Sequence, residues 1–454
     1  MDDPGFWHRL QFAFTIVYHY LFPQLTMGLG LLLVLWKWRA LRTGRADYDQ
    51  AVRFWSRIFG VNFAFGVATG VPMEFQFGTN WAKFSDYAGS VVGQTLAMEG
   101  MFAFFLESAL VAAMVWGERR LGPKRHFAAI CGVCAGSWLS AWFILTTNAF
   151  LQHPQGHSVA ADGRLQLAEP LLFFCNPWAF AQFMHNQMAS VVTASFVVSA
   201  VGALYLLRHQ FAEQARLCVH WGTGVGLVAA VLVAFPTGDH QAKLVAQFQP
   251  ATLAAMEGRF ESGPNAPLTL IGQPNVAQRR IDNAIAAPAV LSILAYGTPK
   301  RSVRGLLDFA QADWPTNIEL LYYSFHVMAG LGTLMIGLMA LANYLRYRGK
   351  LLTSRPMLWG LMLALPLPYI ATTAGWMTAE LGRQPWLVYG LFRTAQGHSP
   401  GVSSGNALFT LIGFCGLYSV FSALFLFLVG REIAHGPLVA APEHYGEPGR
   451  ADHG

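Results

Sequence analysis

Charge is scarce in this chain. Of its 454 residues only 12% are Asp, Glu, Lys or Arg, while 54% are hydrophobic and the mean hydropathy is +0.38. A soluble domain carries roughly 25% charged residues, so the shortage excludes an ordinary solvated domain and points to a polytopic membrane protein. Cysteine is scarce as well, five in all. Cys131 and Cys134 form a C-x-x-C, but the pair lies inside an apolar run and no His follows it directly. That excludes the covalent haem-attachment motif and leaves two thiols for helix packing. Neither a glycine-rich nucleotide loop nor an internal repeat stands out, so the motifs of soluble nucleotide enzymes do not apply.

Long apolar runs are what the chain does have. Runs of about 20 apolar residues, enough to cross roughly 30 Å of hydrocarbon as a helix, fall near 12–36, 54–75, 94–116, 127–150, 179–207, 217–236, 320–345, 356–379 and 406–430. The expected fold is all-α, with about nine transmembrane helices in bundles, a single membrane domain over 1–454. The first run carries His19 and Pro23 and lacks a cleavage-site pattern, so it reads as a span and not as a removable signal. The net charge of +6 is topological and does not call for nucleic acid. Lys37, Arg39, Arg42, Arg45 and Arg53, then Arg119, Arg120, Lys124 and Arg125, then Arg346, Arg348, Lys350 and Arg355 fall between odd and even spans. The alternate connections hold only Lys83, Arg164, Arg383 and Arg393. By the positive-inside rule the N-terminus is outside, and the tail from Arg431 is cytoplasmic. One long segment, 237–319, then lies outside. It is expected to hold a short helix from Thr252 to Phe260, and turns at Gly263-Pro264-Asn265 and Gly272-Gln273-Pro274-Asn275.

Against this apolar background, ionisable residues inside spans carry the chemical information. Burying one near hydrocarbon costs on the order of 3 kcal/mol, so such residues mark ion paths, counter-ions or metal ligands. His185 and Met328 lie at matched depth, roughly 10 Å below the outer ends of spans five and seven. A His/Met pair of that kind suits the axial positions of a six-coordinate, low-spin haem iron. His19 lies in the outer half of span one, and Glu380 closes span eight; imidazole is a common haem ligand and a carboxylate a weaker one that leaves iron open. The alternative for Glu380 is a helix-end ion pair with Arg383. Glu99 and Glu107 share span three, about 12 Å apart along the axis and about 80° apart around it, two steps that suit a proton relay or interhelical hydrogen bonding.

The residues at these positions resemble subunit I of cytochrome bd-type quinol oxidases through nearly the whole chain. The resemblance rests on Arg9-Leu10-Gln11-Phe12-Ala13-Phe14 with Tyr18-His19, on Gly66-Val67-Ala68-Thr69-Gly70, and on Met73-Glu74-Phe75-Gln76-Phe77-Gly78-Thr79-Asn80-Trp81. Glu99-Gly100, Phe104-Phe105-Leu106-Glu107-Ser108 and Gly382-Arg383-Gln384-Pro385-Trp386 complete it. It implies a multi-pass subunit of the bacterial cytoplasmic (inner) membrane that oxidises quinol outside and reduces O₂ to water, drawing protons from the cytoplasm without a pump. His185 and Met328 are then ligands of low-spin haem b, and His19 and Glu380 proximal ligands of two high-spin haems, a haem b and a haem d or a third haem b in its place; which binds which stays open. Glu99 is implied as a distal contact at the oxygen-reactive haem, Glu107 as its proton-path neighbour, Arg383 and Trp376 as groups beside the haems, and Arg9 as a basic residue near the low-spin haem. Segment 237–319 is implied as the quinol-binding loop with Glu257 as its acidic residue. A second membrane subunit, subunit II, and a small single-span accessory subunit are the implied partners, with quinol and lipid.

Two positions depart from the pattern: Thr252 stands where some members have lysine, and His326 where an arginine lies near the Met ligand. The short loop is similar to the cyanide-insensitive branch, whose haem content need not include haem d. Two rival readings are a cofactor-free transporter coupled through Glu99 and Glu107, which leaves His185 and Met328 unexplained, and a haem b electron carrier without O₂ chemistry.

Overall fold

The computed structural model of the protein describes residues 4–437, apart from the side chains of residues 103 and 104; the end of the expected cytoplasmic tail lies outside the described residues. Among the described residues nine helices are long and apolar enough to cross a membrane, one for each expected span. They are α1 (Pro4–Thr43), α2 (Ala46–Thr79), α3 (Ala82–Trp116), α4 (Glu118–Gln152), α5 (Pro177–Leu207), α6 (Ala212–Phe248), α7 (Ile318–Tyr347), α8 (Arg355–Arg383) and α9 (Ser404–His435).

Each helix outruns its apolar stretch, because hydropathy marks the part in hydrocarbon whereas capping sets the ends. The side chains of Asn176, Asn317 and Ser403 accept from Trp178, Leu320 and Asn406 backbone N–H groups and so start α5, α7 and α9. At 40 residues α1 is about 60 Å long, twice the hydrocarbon thickness. The basic residues Lys37, Arg39 and Arg42 therefore ride on its last turns and not in a loop. Lys37 is buried there and ion-pairs with Asp49 at 2.7 Å and Glu118 at 2.9 Å, tying the ends of α1, α2 and α4 together.

Helix α5 is central and almost wholly buried along its apolar stretch, while α9 buries very little of its own. Leu29, Leu32, Leu33 and Trp36 of α1 pack with Trp55 and Phe59 of α2 and with Val198, Val201 and Tyr205 of α5. In lipid such association depends on close packing of small residues. At Gly28 a Cβ would fall 2.0 Å from the Ser190 carbonyl oxygen, so only glycine lets α1 approach α5 this closely.

Helix α3 contains a π-type turn at Met101–Glu107, and α6 is kinked within Val233–Gly238, where Phe235 is extended (φ −134°, ψ 127°) just before Pro236. Short antiparallel ladders pair β1 (His157–Val159) with β2 (Leu165–Leu167), β3 (Leu268–Asn275) with β4 (Arg280–Ala287), and β5 (Trp386–Val388) with β6 (Phe392–Arg393). The segment between α6 and α7 differs from expectation in three respects. Residues 237–248 continue α6; the short helix spans Pro250–Met256 and stops before Gly258, whose φ is +61°; and Gly272–Asn275 lie in β3 and not in a turn. Gly272 falls at the register shift between Ile271 and Gln273, and Pro274 is tolerated in regular register because both strands of a two-stranded sheet are edge strands. The segment is docked and not free: Ala254, Ala255, Met256 and Phe260 pack with Leu306, Trp314, Ile318 and Leu321.

Candidate functional site

A cavity of about 1610 Å³ opens among the helices, larger than the roughly 300–1,000 Å³ of a pocket for one small ligand. Every residue singled out in the sequence lines it: Arg9, His19, Glu99, Glu107, His185, Glu257, Met328, Trp376, Glu380 and Arg383.

The two histidines are held in the same way. His19 Nδ1 lies 3.0 Å from the Thr69 hydroxyl, which donates its own hydrogen to the Phe65 carbonyl at 2.8 Å. His185 Nδ1 lies 3.4 Å from the Thr237 hydroxyl, which donates to the Leu232 carbonyl at 2.8 Å. With each hydroxyl hydrogen spent on a carbonyl, the threonine oxygen can only accept from the imidazole. The hydrogen-bond network therefore assigns the proton to Nδ1 and leaves the Nε2 lone pair available to a metal. Thr237 stands just past the kink in α6, where Phe235 is extended and Pro236 interrupts the helix.

Counted from the first residues of α5 and α7, His185 is about 12 Å and Met328 about 15 Å in, both facing the cavity. Gly375 of α8 makes room for the thioether, since a Cβ there would fall 2.8 Å from Met328 Sδ. Trp376 follows, its ring 6.3 Å from that of Tyr20. At the end of α8 the helix-end ion pair of Glu380 Oε2 with Arg383 is formed, and Asn148 Nδ2 donates to Glu380 Oε1 at 2.9 Å. Arg383 is 3% exposed, and its Nε and Nη1 have no hydrogen-bond partner. A buried guanidinium with unused donors is matched to an acidic group entering the cavity.

On α3, Glu99 Oε1 accepts from Ser140 at 3.2 Å, and Glu107 stands beside Ser137, 3% exposed with Oε1 unpartnered. Both serines are on α4 one turn apart. The π-type turn between the carboxylates winds more slowly than an α-helix and turns both toward α4, a tighter alignment than 80° of α-helix would allow.

Glu257 caps the short helix Pro250–Met256, 3% exposed with Oε2 unpartnered. Burial pushes its carboxyl up to about 8 in spite of a hydrogen bond with the Thr269 backbone. Thr252 is not a substitute for a cation toward the cavity. It is buried, its hydroxyl donates to the Gly382 carbonyl at 2.7 Å, and its methyl packs on Gly382. His326 approaches two carbonyls, Tyr322 at 2.8 Å and Thr269 at 2.9 Å, and so binds α7 to the β3 ladder.

Sequence reasoning missed Glu74 of α2, which lines the same cavity within electrostatic reach of Glu99; as a carboxylate inside an apolar run it carried the same signal as Glu99. It also missed the amides. Gln182 Nε2 donates to Asn148 Oδ1 at 2.9 Å, and Gln249 Nε2 to Gln152 Oε1 at 2.9 Å. Gln152 Nε2 in turn donates to the Ala379 carbonyl at 3.1 Å. Among the described residues no three His, Cys, Asp or Glu side chains converge as a metal-binding group.

Residues 7–437 match the family model for cytochrome bd terminal oxidase subunit I. The chain belongs to that family. It is 33% identical to the cytochrome bd-II ubiquinol oxidase subunit 1 of Escherichia coli K12, over 94% of this chain and 96% of that one. To the cytochrome bd ubiquinol oxidase subunit 1 of Bacillus subtilis 168 it is 35% identical, over 94% and 93%. The bd oxidase structure from Geobacillus thermodenitrificans superposes with a TM-score of 0.90 at 29% identity, covering 96% of this chain and all of that one. Membership of the cytochrome bd family makes the chain a bacterial inner-membrane oxidoreductase subunit of a terminal oxidase, implies haem cofactors, and implies assembly with a subunit II.

Proposed function

We propose that this subunit oxidises quinol at the outer membrane face and reduces O₂ to water, using three haems and protons from the cytoplasm, so that proton-motive force arises without pumping. The observation that carries the reading is the one cavity onto which His19, His185, Met328, Glu380, Glu99, Glu107 and Glu257 all open. His185 and Met328 would hold the low-spin haem b. His19 and Glu380 would each hold a high-spin haem, one of them b and the other d or a further b. Bound there, the haems supply electron transfer and oxygen chemistry.

The rest is the work of this chain's own residues. Thr69 and Thr237 keep the Nε2 lone pairs of His19 and His185 turned to the cavity. Arg383, with donors to spare, and Arg9 offer positive charge to the acidic side groups a haem carries. Trp376 fills the wall beside Glu380. The outer segment presents Glu257, whose carboxylate would accept a proton from the quinol hydroxyl and release it outside. Glu107, then Glu99, would pass protons along α3 from the opposite side, assisted by Ser137 and Ser140. Releasing protons on one face and taking them up on the other separates charge. Subunit II and a small single-span subunit complete the complex, with the N-terminus outside and the C-terminus cytoplasmic.

A reduced-minus-oxidised spectrum of the purified complex, taken with and without CO, tests this. Low-spin haem b together with a CO-reactive high-spin haem is the expected result. Low-spin haem alone would make the protein an electron carrier, and no haem would leave a transporter.

A further inference from the structure

A second cavity, of about 850 Å³, lies at the end of the bundle remote from the 249–317 segment. Its wall is basic, with Arg39 from the end of α1, Arg45 from the α1–α2 connection, Arg216 and His220 from the start of α6, and Arg346 from the end of α7. Two carboxylates are present, Asp47 and Glu213, and both are directed to Arg45: Asp47 as an ion pair, Glu213 through its field. Arg39, Arg216 and Arg346 have no carboxylate partner among the described residues. Arg39 lies 5.9 Å from the ring of Trp38, and Arg346 Nη1 donates to the His220 carbonyl at 2.9 Å.

Arg346 reaches the cavity across α6. Arg216, His220 and Gly224 follow at four-residue steps on one face of α6. A Cβ at Gly224 would meet Arg346 Nη1 at 3.2 Å, so the guanidinium lies close over this turn of α6. Farther into the bundle the lining turns apolar and aromatic, with Leu217, Val225, and the rings of Tyr48 and Trp221 edge-to-face at 6.2 Å. Guanidinium groups stay charged and bind phosphate oxygens in a fixed fork. A basic rim over an apolar wall at the edge of a membrane bundle suits a ligand with a phosphate above and hydrocarbon below.

We propose that this cavity binds the phosphate of an anionic phospholipid, gripped by Arg39, Arg216 and Arg346, with its acyl chains along the apolar wall that Leu217, Trp221 and Val225 of α6 form with Tyr48 of α2. The complete oxidase, delipidated in detergent with its partner subunit in place, is titrated with phosphatidylglycerol, phosphatidylcholine and inorganic phosphate, and retained lipid is read by native mass spectrometry. Wild type should prefer phosphatidylglycerol. Arg216→Gln and Arg346→Gln should each weaken that lipid about fivefold, weaken phosphatidylcholine less because its choline offsets the phosphate charge, and leave the haem spectrum unchanged. Equal affinity for the two lipids, or unchanged phosphatidylglycerol binding in both variants, would overturn the proposal. Displacement of the lipid by millimolar inorganic phosphate, with the same dependence on Arg216, would assign the cavity to free phosphate instead. Arg216 is exposed, so its variant carries the test even if loss of the Arg346 bond to His220 disturbs folding.

Discussion

Nδ1 of His19 stands 3.0 Å from the hydroxyl of Thr69, one helix away, and that contact, with a backbone hydrogen bond to Gly66 on the same helix, orients the imidazole. Thr69→Val keeps the volume and removes the acceptor. It should weaken retention of the high-spin haem by about the 10- to 100-fold typical of lost outer-shell partners and shift that haem's potential, both readable by redox titration. Thr237→Val should act in the same direction on the low-spin haem, and less strongly because its contact is longer, 3.4 Å. Potentials identical to wild type in both variants would remove the threonines from any tuning role.

Met328→Leu and His185→Ala are both expected to abolish the low-spin haem b spectrum and quinol oxidation. Leucine nearly conserves volume, so packing beside Gly375 should survive at a cost below about 1.5 kcal/mol. A normal low-spin spectrum in both variants would refute the ligand assignment.

Glu107→Gln should slow oxygen reduction while haem content stays intact, because the amide preserves shape beside Ser137 but cannot ionise. Turnover and charge separation in proteoliposomes are the measurements. Wild-type values would reduce Glu107 to a hydrogen-bonding role.

Glu257 yields a prediction about pH. Burial raises its carboxyl to about 8, so the carboxylate needed as a base is the minor form at neutral pH and becomes the major one above about 8. Quinol oxidation should therefore climb by about tenfold per unit as pH rises toward 8 and level off beyond it. Glu257→Gln should lower the rate by about 10²- to 10⁴-fold and flatten the climb, while artificial donors that reduce the haems directly still drive O₂ consumption. Equal loss with both donors would place the defect in the haem sites or the fold.

Replacing Thr252 separates two ideas about the outer segment. Its hydroxyl anchors the Gly382 carbonyl, so Thr252→Val should cost about 1 kcal/mol, typical of a lost hydrogen bond, seen as a lower unfolding temperature, with the quinol KM little changed. A large rise in KM with unaltered stability would mean that Thr252 touches quinol after all.

Nine spans and the intramembrane His, Met and Glu residues were legible in the residues themselves, because in hydrocarbon every apolar run must become a helix and every ionisable group within one needs a reason. The family was legible from its longest strings for the same residues. What only the tertiary structure decided was how those groups are aimed. The threonines that orient His19 and His185, the amides around Glu380 and the docking of Thr252 beneath Gly382 are neutral polar side chains, cheap enough in a span to leave no mark in composition. The π-type turn that aligns Glu99 with Glu107 and the kink in α6 that brings Thr237 to His185 depend on packing between helices. So does the β3–β4 ladder, where pairing overrides the turn propensity of Gly272 and Pro274. Local sequence sets which backbone and which charge stand at each depth; contacts between distant segments set the direction in which each side chain points.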